Sequence, residues 1–202
     1  MNLSSWSKCI LTLLISLLIC STCYANDNAF KRARELQHSG KYDEAIIAFK
    51  EYLSRPINET DLTDQQLVEY TEALMQLMNT YQSKGDPETC ISTLKEIFKA
   101  SPILQNQCLR DYHSVMGYAL SRTEKVEEAE ESILKVFTLP LYRATPERNF
   151  RDYAYAAAVF YSNPKYQNEV INWCQEALTH AESCKNTSGK QWVTAMLGSL
   201  YK

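Results

Sequence analysis

An all-α protein built as a file of helical hairpins is what this sequence predicts, and three observations predict it. In the stretch from Ala29 to Pro56, AFKRARELQHSGKYDEAIIAFKEYLSRP, apolar residues recur at three- and four-residue steps on both sides of Ser39-Gly40. The same pattern returns around residues 85, 124 and 164. Only five glycines and no low-complexity tract are present, so residues 26–202 read as one domain without a linker.

In the first unit Gly40 supplies the break, because it suits the left-handed backbone that ends a helix and weakens a helix interior. Small Ala33 and Ala45 face each other across the turn, which lets the backbones approach, while Leu36, Tyr42 and Phe49 fill the space beside them. A lone pair of this kind leaves one apolar face bare and must stack on another, so a repeat is required. Around each turn residue the sequence supplies it. The first unit has Ala33, Leu36, Gly40, Tyr42, Ala45, Phe49 and Pro56; the second has Met78, Tyr81, Gly85, Pro87, Cys90, Leu94 and Pro102. The third has Gly117, Leu120, Glu124, Val126, Ala129, Ile133 and Pro140. A fourth, Ala157, Phe160, Pro164 and Tyr166, keeps the pattern until Val170, Cys174 and Ala177, which arrive one residue late. Met196, Leu197, Gly198 and Tyr201 read as the first helix of a fifth unit.

With G-K-Y-D-E-A-I-x-A-F nearly complete from Gly40 to Phe49, the chain resembles the tetratricopeptide repeat family over essentially everything after residue 28. Turn-to-turn spacing is about 40 residues rather than the family's 34. The surplus falls in connections such as Ser54 to Gln66 and Tyr142 to Arg148. The resemblance implies a right-handed α-α superhelix (a TPR-like solenoid) of about four helical hairpins plus a terminal helix. Its concave face would bind proteins or peptides, and no chemistry is implied.

Residues 1–25 are of a different kind. Lys8 is the one charged side chain there, and it precedes the apolar run CILTLLISLLIC from Cys9 to Cys20. Twelve helical residues span about 18 Å, short of the roughly 30 Å hydrocarbon core, which favours a secretory signal peptide over an anchor. Cys23-Tyr24-Ala25 offers small residues three before and one before a cleavage point, so the mature chain would begin at Asn26. Lipidation at Cys20 or Cys23 is a second reading and an uncleaved anchor a third. Removing Lys8 takes the formal charge from −3 to −4, a mild acidic excess without a basic stripe, which argues against nucleic acid as a partner.

The remaining elements follow in order. Asp27 or Asn28 can cap the opening helix, and Asp43-Glu44 open the second at its positive dipole end. Asp61 or Thr63 caps a long helix from Asp64 to Lys84, which buries Leu67, Leu74, Leu77, Met78 and Tyr81 and turns Met75 to the groove. After the Gly85-Asp86-Pro87-Glu88 turn, a helix to Ala100 carries Cys90, Leu94 and Ile97 inward and ends at Ser101-Pro102. The third pair runs from about Gln105 to Ser121 and from Lys125 to Phe137, and its Glu127, Glu128, Glu130 and Glu131 read as a solvated face matched to the helix dipole. From Pro146 to Ser162, Ala154, Ala156, Ala157 and Ala158 allow close contact, Phe150, Tyr153 and Phe160 supply bulk, and Tyr155 and Tyr161 fall on other faces, where exposure is expected. The last pair, Tyr166 to Ser183 and Ser188 to Lys202, places Trp173 and Trp192 near the end of the stack.

Chemistry finds little support. Cys90, Cys108, Cys174 and Cys184 are an even number that an exported protein could oxidise, yet only Cys108 with Cys184 survives a spacing argument. His38, His113 and His180 fall in different repeats and lack zinc spacing, so no metal and no cofactor is expected. A Cys108–His113 nucleophile and base is the one catalytic couple that can be drawn, and it lacks a partner motif.

By resemblance, the first helix of each pair lines the concave face one residue beyond the small position and again one turn later. Those places hold Arg34 and His38, Asn79 and Ser83, Tyr118 and Arg122, and Ala158 and Ser162, with Tyr161 beside them. Cationic and aromatic side chains beside an Asn suit an extended peptide with some negative charge. Phe30 stands where the first lysine of the family's carboxylate clamp would be. The expected protein is therefore a non-enzymatic scaffold, exported and periplasmic if the source is Gram-negative, that binds a protein or peptide. It would meet a membrane only through an uncleaved anchor or a region beyond residue 202. The alternative is the N-terminal sensory region of a membrane-anchored bacterial signalling protein, a sensor kinase or transcriptional regulator.

Overall fold

A computed structural model describes residues 29–56 and 63–201, so the expected signal peptide lies outside the described residues. Helix α1 covers 29–38. It is followed by α2 (Tyr42–Leu53), α3 (Asp64–Lys84), α4 (Pro87–Ala100), α5 (Pro102–Asn106), α6 (Leu109–Leu120), α7 (Val126–Thr138), α8 (Pro146–Phe160), a 3₁₀ turn (Pro164–Tyr166), α9 (Gln167–Ser183) and α10 (Thr187–Leu200). No strand occurs among the described residues, and no described helix is long and apolar enough to cross a membrane.

The helices pair as α1–α2, α3–α4, α6–α7 and α8–α9, with α10 packed on α9. Each second helix also touches the first helix of the next pair, as α2 does α3 and α7 does α8, so one apolar core runs through the whole file. This is the repeat architecture that the sequence implied: four hairpins and a terminal helix. Burying a side chain such as Phe49 or Phe160, both inaccessible to solvent, stabilises it by about 1.5–3 kcal/mol.

Local chemistry explains where the helices stop. Gly40 and Gly85 have φ of 75° and 78°, and in each case the next residue's N–H returns to the helix, Lys41 to Leu36 O and Asp86 to Tyr81 O, both at 3.0 Å. These are left-handed helix ends that glycine alone enters without a Cβ penalty. Thr63 opens α3 with a reciprocal cap: Gln66 N–H donates to its hydroxyl, and Thr63 N–H donates to Gln66 Oε1 at 2.9 Å. Asp86 caps α4 ahead of Pro87. Between hairpins, the buried Tyr70 hydroxyl donates to Leu53 O at 3.0 Å and pairs with Ser101 Oγ at 2.7 Å, and burial pushes its pKa up to about 12.

The small positions are as tight as the pattern requires. Ala33, Ala45, Ala129 and Ala157 are fully buried. The late register of the fourth unit also has a plain cause. Helices α2, α4 and α7 begin two residues after their turn residue, whereas α9 begins three after Pro164, behind the 3₁₀ turn.

Several expectations are corrected. Tyr155 is buried, not exposed, because α8 turns that face toward α6. The helix expected from Gln105 to Ser121 is broken at Gln107-Cys108 into α5 and α6. Arg148, read both as the end of a connection and as part of the helix from Pro146, belongs to α8 and is 1% exposed. The Cys108–Cys184 pair left open by spacing does not form: Cys108 is fully buried, and all four described cysteines are free thiols.

Gly117 tests the close approach of α6 and α7. A Cβ there would come within 2.6 Å of Ile133 Cγ1 and 3.2 Å of the Ala129 carbonyl. Gly117→Val is expected to cost about 1–3 kcal/mol, read in urea denaturation as a lower midpoint at unchanged slope.

Candidate ligand cavity

Helices α1, α3, α6, α8 and α10, the first members of the successive units, all contribute to one concavity of about 690 Å³. From α1 comes Arg34, from α3 Thr71, Glu72, Met75 and Asn79, and from α6 Tyr118. Helix α8 adds Glu147, Arg148, Phe150, Arg151 and Tyr155, and the far wall is Cys184, Asn186 and the first turns of α10 with Gly189 and Trp192. The first and last of the inner helices thus reach the same space.

The floor is held by an ion network that hydrophobic periodicity did not reveal. Asp111 on α6 is fully buried and accepts from both Arg148, including Nε–H at 3.0 Å, and Arg151 on α8. Arg148 also donates to the carbonyls of Tyr142, Arg143 and Gln107. Arg151 Nη1 reaches across to the Thr71 carbonyl of α3 at 3.2 Å, a contact that joins helices two hairpins apart. Beside them Arg110 donates to Asp152 Oδ2 at 2.7 Å. Arg151 Nε and Asp152 Oδ1 are buried and unpartnered. Burial, and next the nearby Asp111 carboxylate, push Asp152 up to about 6.

Two helical turns along, aromatic side chains replace the ions. Tyr118 of α6 stacks on Tyr155 of α8 with ring centroids 4.3 Å apart and planes 6° apart. Trp192 of α10 stands edge-on to both, at 6.1 and 6.4 Å. Asp111 lies 37 residues before Arg148, as Tyr118 does before Tyr155, so α6 and α8 run in the same direction in fixed register. Helix α10 is brought in by Asn186, which accepts from Gly189 N–H at 2.9 Å, and by Gly189 itself, where a Cβ would collide with the Phe150 ring.

Of the residues singled out in the sequence, Arg34, Asn79 and Tyr118 line this cavity, as does Met75. Arg34 lies 3.5 Å from Glu72. His38, Ser83, Arg122 and Ser162 are exposed and Ala158 and Tyr161 half-buried, and none of these lines it. They sit one turn nearer the hairpin turns, beyond the point at which the cavity stops. The residues missed are Asp111, Arg148, Arg151, Asp152 and Trp192. A signal for the first group did exist: Arg148, Arg151 and Tyr155 share one helix face at three- and four-residue steps, opposite Asp111 and Tyr118.

The Cys108–His113 couple does not form a reactive pair. Burial pushes the Cys108 thiol far up, while His113 Nδ1 pairs with Ser132 Oγ at 3.2 Å and burial lowers its pKa. No cluster of metal-ligating side chains occurs among the described residues.

No family model matches the chain, and no curated protein does. Among solved structures, one described as nearly identical TPR-like repeats, from Podosopora anserina and assigned to a kinesin light chain, is similar over 87% of this chain and 94% of that one, with 13% identity and a TM-score of 0.48. At that level the likeness carries no argument, and the architecture stands on the helix packing described above.

Two measurements check the network. Asp111→Ala leaves two buried guanidiniums without their shared carboxylate and is expected to cost about 3–5 kcal/mol in urea denaturation. For Asp152 the folded pKa lies above the ordinary 3.8, so the folded state binds the proton more tightly and the group's contribution to stability improves as pH falls from 7 through 6. His113 works in the opposite direction, since its folded pKa is lowered. The stability of the wild type relative to Asp152→Asn cancels the His113 effect and is expected to rise between pH 7 and pH 4.5.

Proposed function

We propose that the protein is an exported scaffold that binds a protein or peptide partner on its inner face. What carries this reading is the convergence of five inner helices on one open concavity that mixes charged, amide and aromatic side chains, the surface composition of a recognition site. Export rests on the sequence of residues 1–25, with periplasmic residence where the source is Gram-negative. The scaffold does its work by shape: hairpins that share their apolar flanks hold the inner helices rigidly enough to present Arg34, Asn79 and Tyr118 together.

The exposed His38, Ser83 and Arg122 extend the polar face beyond the cavity and give a bound chain further contacts. Affinity capture from an extract of the source organism, with the purified protein as bait, is expected to retain a partner that Arg34→Glu weakens about tenfold and Arg34→Glu with Arg122→Glu weakens further. Unchanged capture by the double variant would remove the inner face as the binding surface. N-terminal sequencing of the exported chain is expected to begin at Asn26.

A further inference from the structure

The ion network beneath the cavity, which reaches its lining through Arg148 and Arg151, carries an imbalance of charge. Three guanidiniums, Arg110, Arg148 and Arg151, face two carboxylates, Asp111 and Asp152, and all five groups are largely withdrawn from water. An uncompensated buried charge is costly, and a buried donor without an acceptor adds to that cost. Arg151 must share its one carboxylate, Asp111, with Arg148, and it also carries the unpartnered donor. It is 5% exposed, lines the cavity, and its Nε–H has no acceptor. Two other acids line the same space but do not answer this charge: Glu72 is engaged with Arg34, and Glu147 is exposed at the rim.

One turn along α8 from Arg151 stands Tyr155, stacked on Tyr118 and flanked by Trp192. Residues four apart on a helix have Cβ atoms about 5–6 Å from each other, so the two side chains face the cavity as neighbours. A small aryl acid likewise carries its carboxylate and its ring as neighbours, one bond or two apart. The cavity volume of about 690 Å³ falls in the ordinary range for small-molecule sites. It also ends short of His38, Ser83, Arg122 and Ser162, so it is a cup rather than a channel along the whole inner face.

We infer that this cup binds a small organic anion carrying a planar ring, with the anionic group on Arg151 and the ring against Tyr118, Tyr155 and Trp192. The inference goes beyond the protein-binding reading and does not depend on it, since a failed capture experiment leaves the cup and its charge unchanged.

Isothermal titration calorimetry of the purified protein with indole-3-acetate, indole-3-acetamide and choline tests it. Indole-3-acetate is expected to bind about tenfold or more tightly than the amide, because the amide carries no negative charge to pair with the guanidinium and offers one acceptor oxygen instead of two, and choline is expected not to bind. Arg151→Gln is expected to erase the preference for the acid. Trp192→Ala, at a side chain 38% exposed and so tolerant of change, is expected to weaken indole-3-acetate several-fold while helicity by circular dichroism is unchanged. Where Arg151→Gln fails to fold, the Trp192→Ala titration decides. Equal binding of acid and amide, binding of choline, or indifference to Trp192→Ala would overturn the proposal. Tighter binding of a tripeptide ending in tryptophan than of indole-3-acetate would also overturn it, assigning the cup to a peptide terminus instead.

Discussion

The carboxylate of Asp111 fixes how three inner helices sit against one another. It is shared by Arg148 and Arg151 of α8, and Arg151 continues to a carbonyl of α3. Apolar burial drives the hairpins together, but it is non-directional, and one greasy helix face accepts another at several offsets. An ion pair out of water does not. A slip of one turn, about 5.4 Å, would strand the carboxylate and two guanidiniums at a cost of several kcal/mol. Such a network adds little net stability compared with a well-packed apolar core. Its effect here is positional. It sets the register of α6 on α8, which the stacked tyrosines repeat two turns later, and it draws α8 to α3.

That last contact makes the inner face a cup. Helices α3 and α8 belong to the second and fourth hairpins, and a gently curved file would keep them apart. Arg151 bridges them through the Thr71 carbonyl, and α10 then closes the side with Trp192. The cavity is therefore a product of curvature, and the residues that line it come from every unit rather than from one repeat.

Most of the architecture was legible in the sequence because it follows from local rules. Gly40 and Gly85 mark turns whose left-handed backbone other residues enter only at a cost, and Ala33, Ala45, Gly117 and Ala129 mark close approaches that leave no room for a larger group. These signals lie within one hairpin. Tyr155 was misread, and Arg148 and Arg151 were missed, because their burial depends on curvature, which no single repeat encodes. A polar helix face looks solvated until the partner two hairpins away is known. Arg34, Asn79 and Tyr118 were found because the family resemblance places groove residues just after the small residue of each unit. His38, Ser83 and Arg122 follow the same rule one turn on, where the cup has already ended.

Gly189 gives the cup a wall that is independent of its floor. At residue 189 of α10 a Cβ would meet both the Phe150 ring of α8 and the capping Asn186 side chain, and none of the Asp111 contacts involves this seam. A larger residue there must turn the Phe150 ring aside or lift the helix, and Trp192 travels with the helix. The mouth can thus be widened or narrowed by substitutions at this seam while the charged base stays as it is. The girth of the opening and the charge beneath it are thus set by separate parts of the chain.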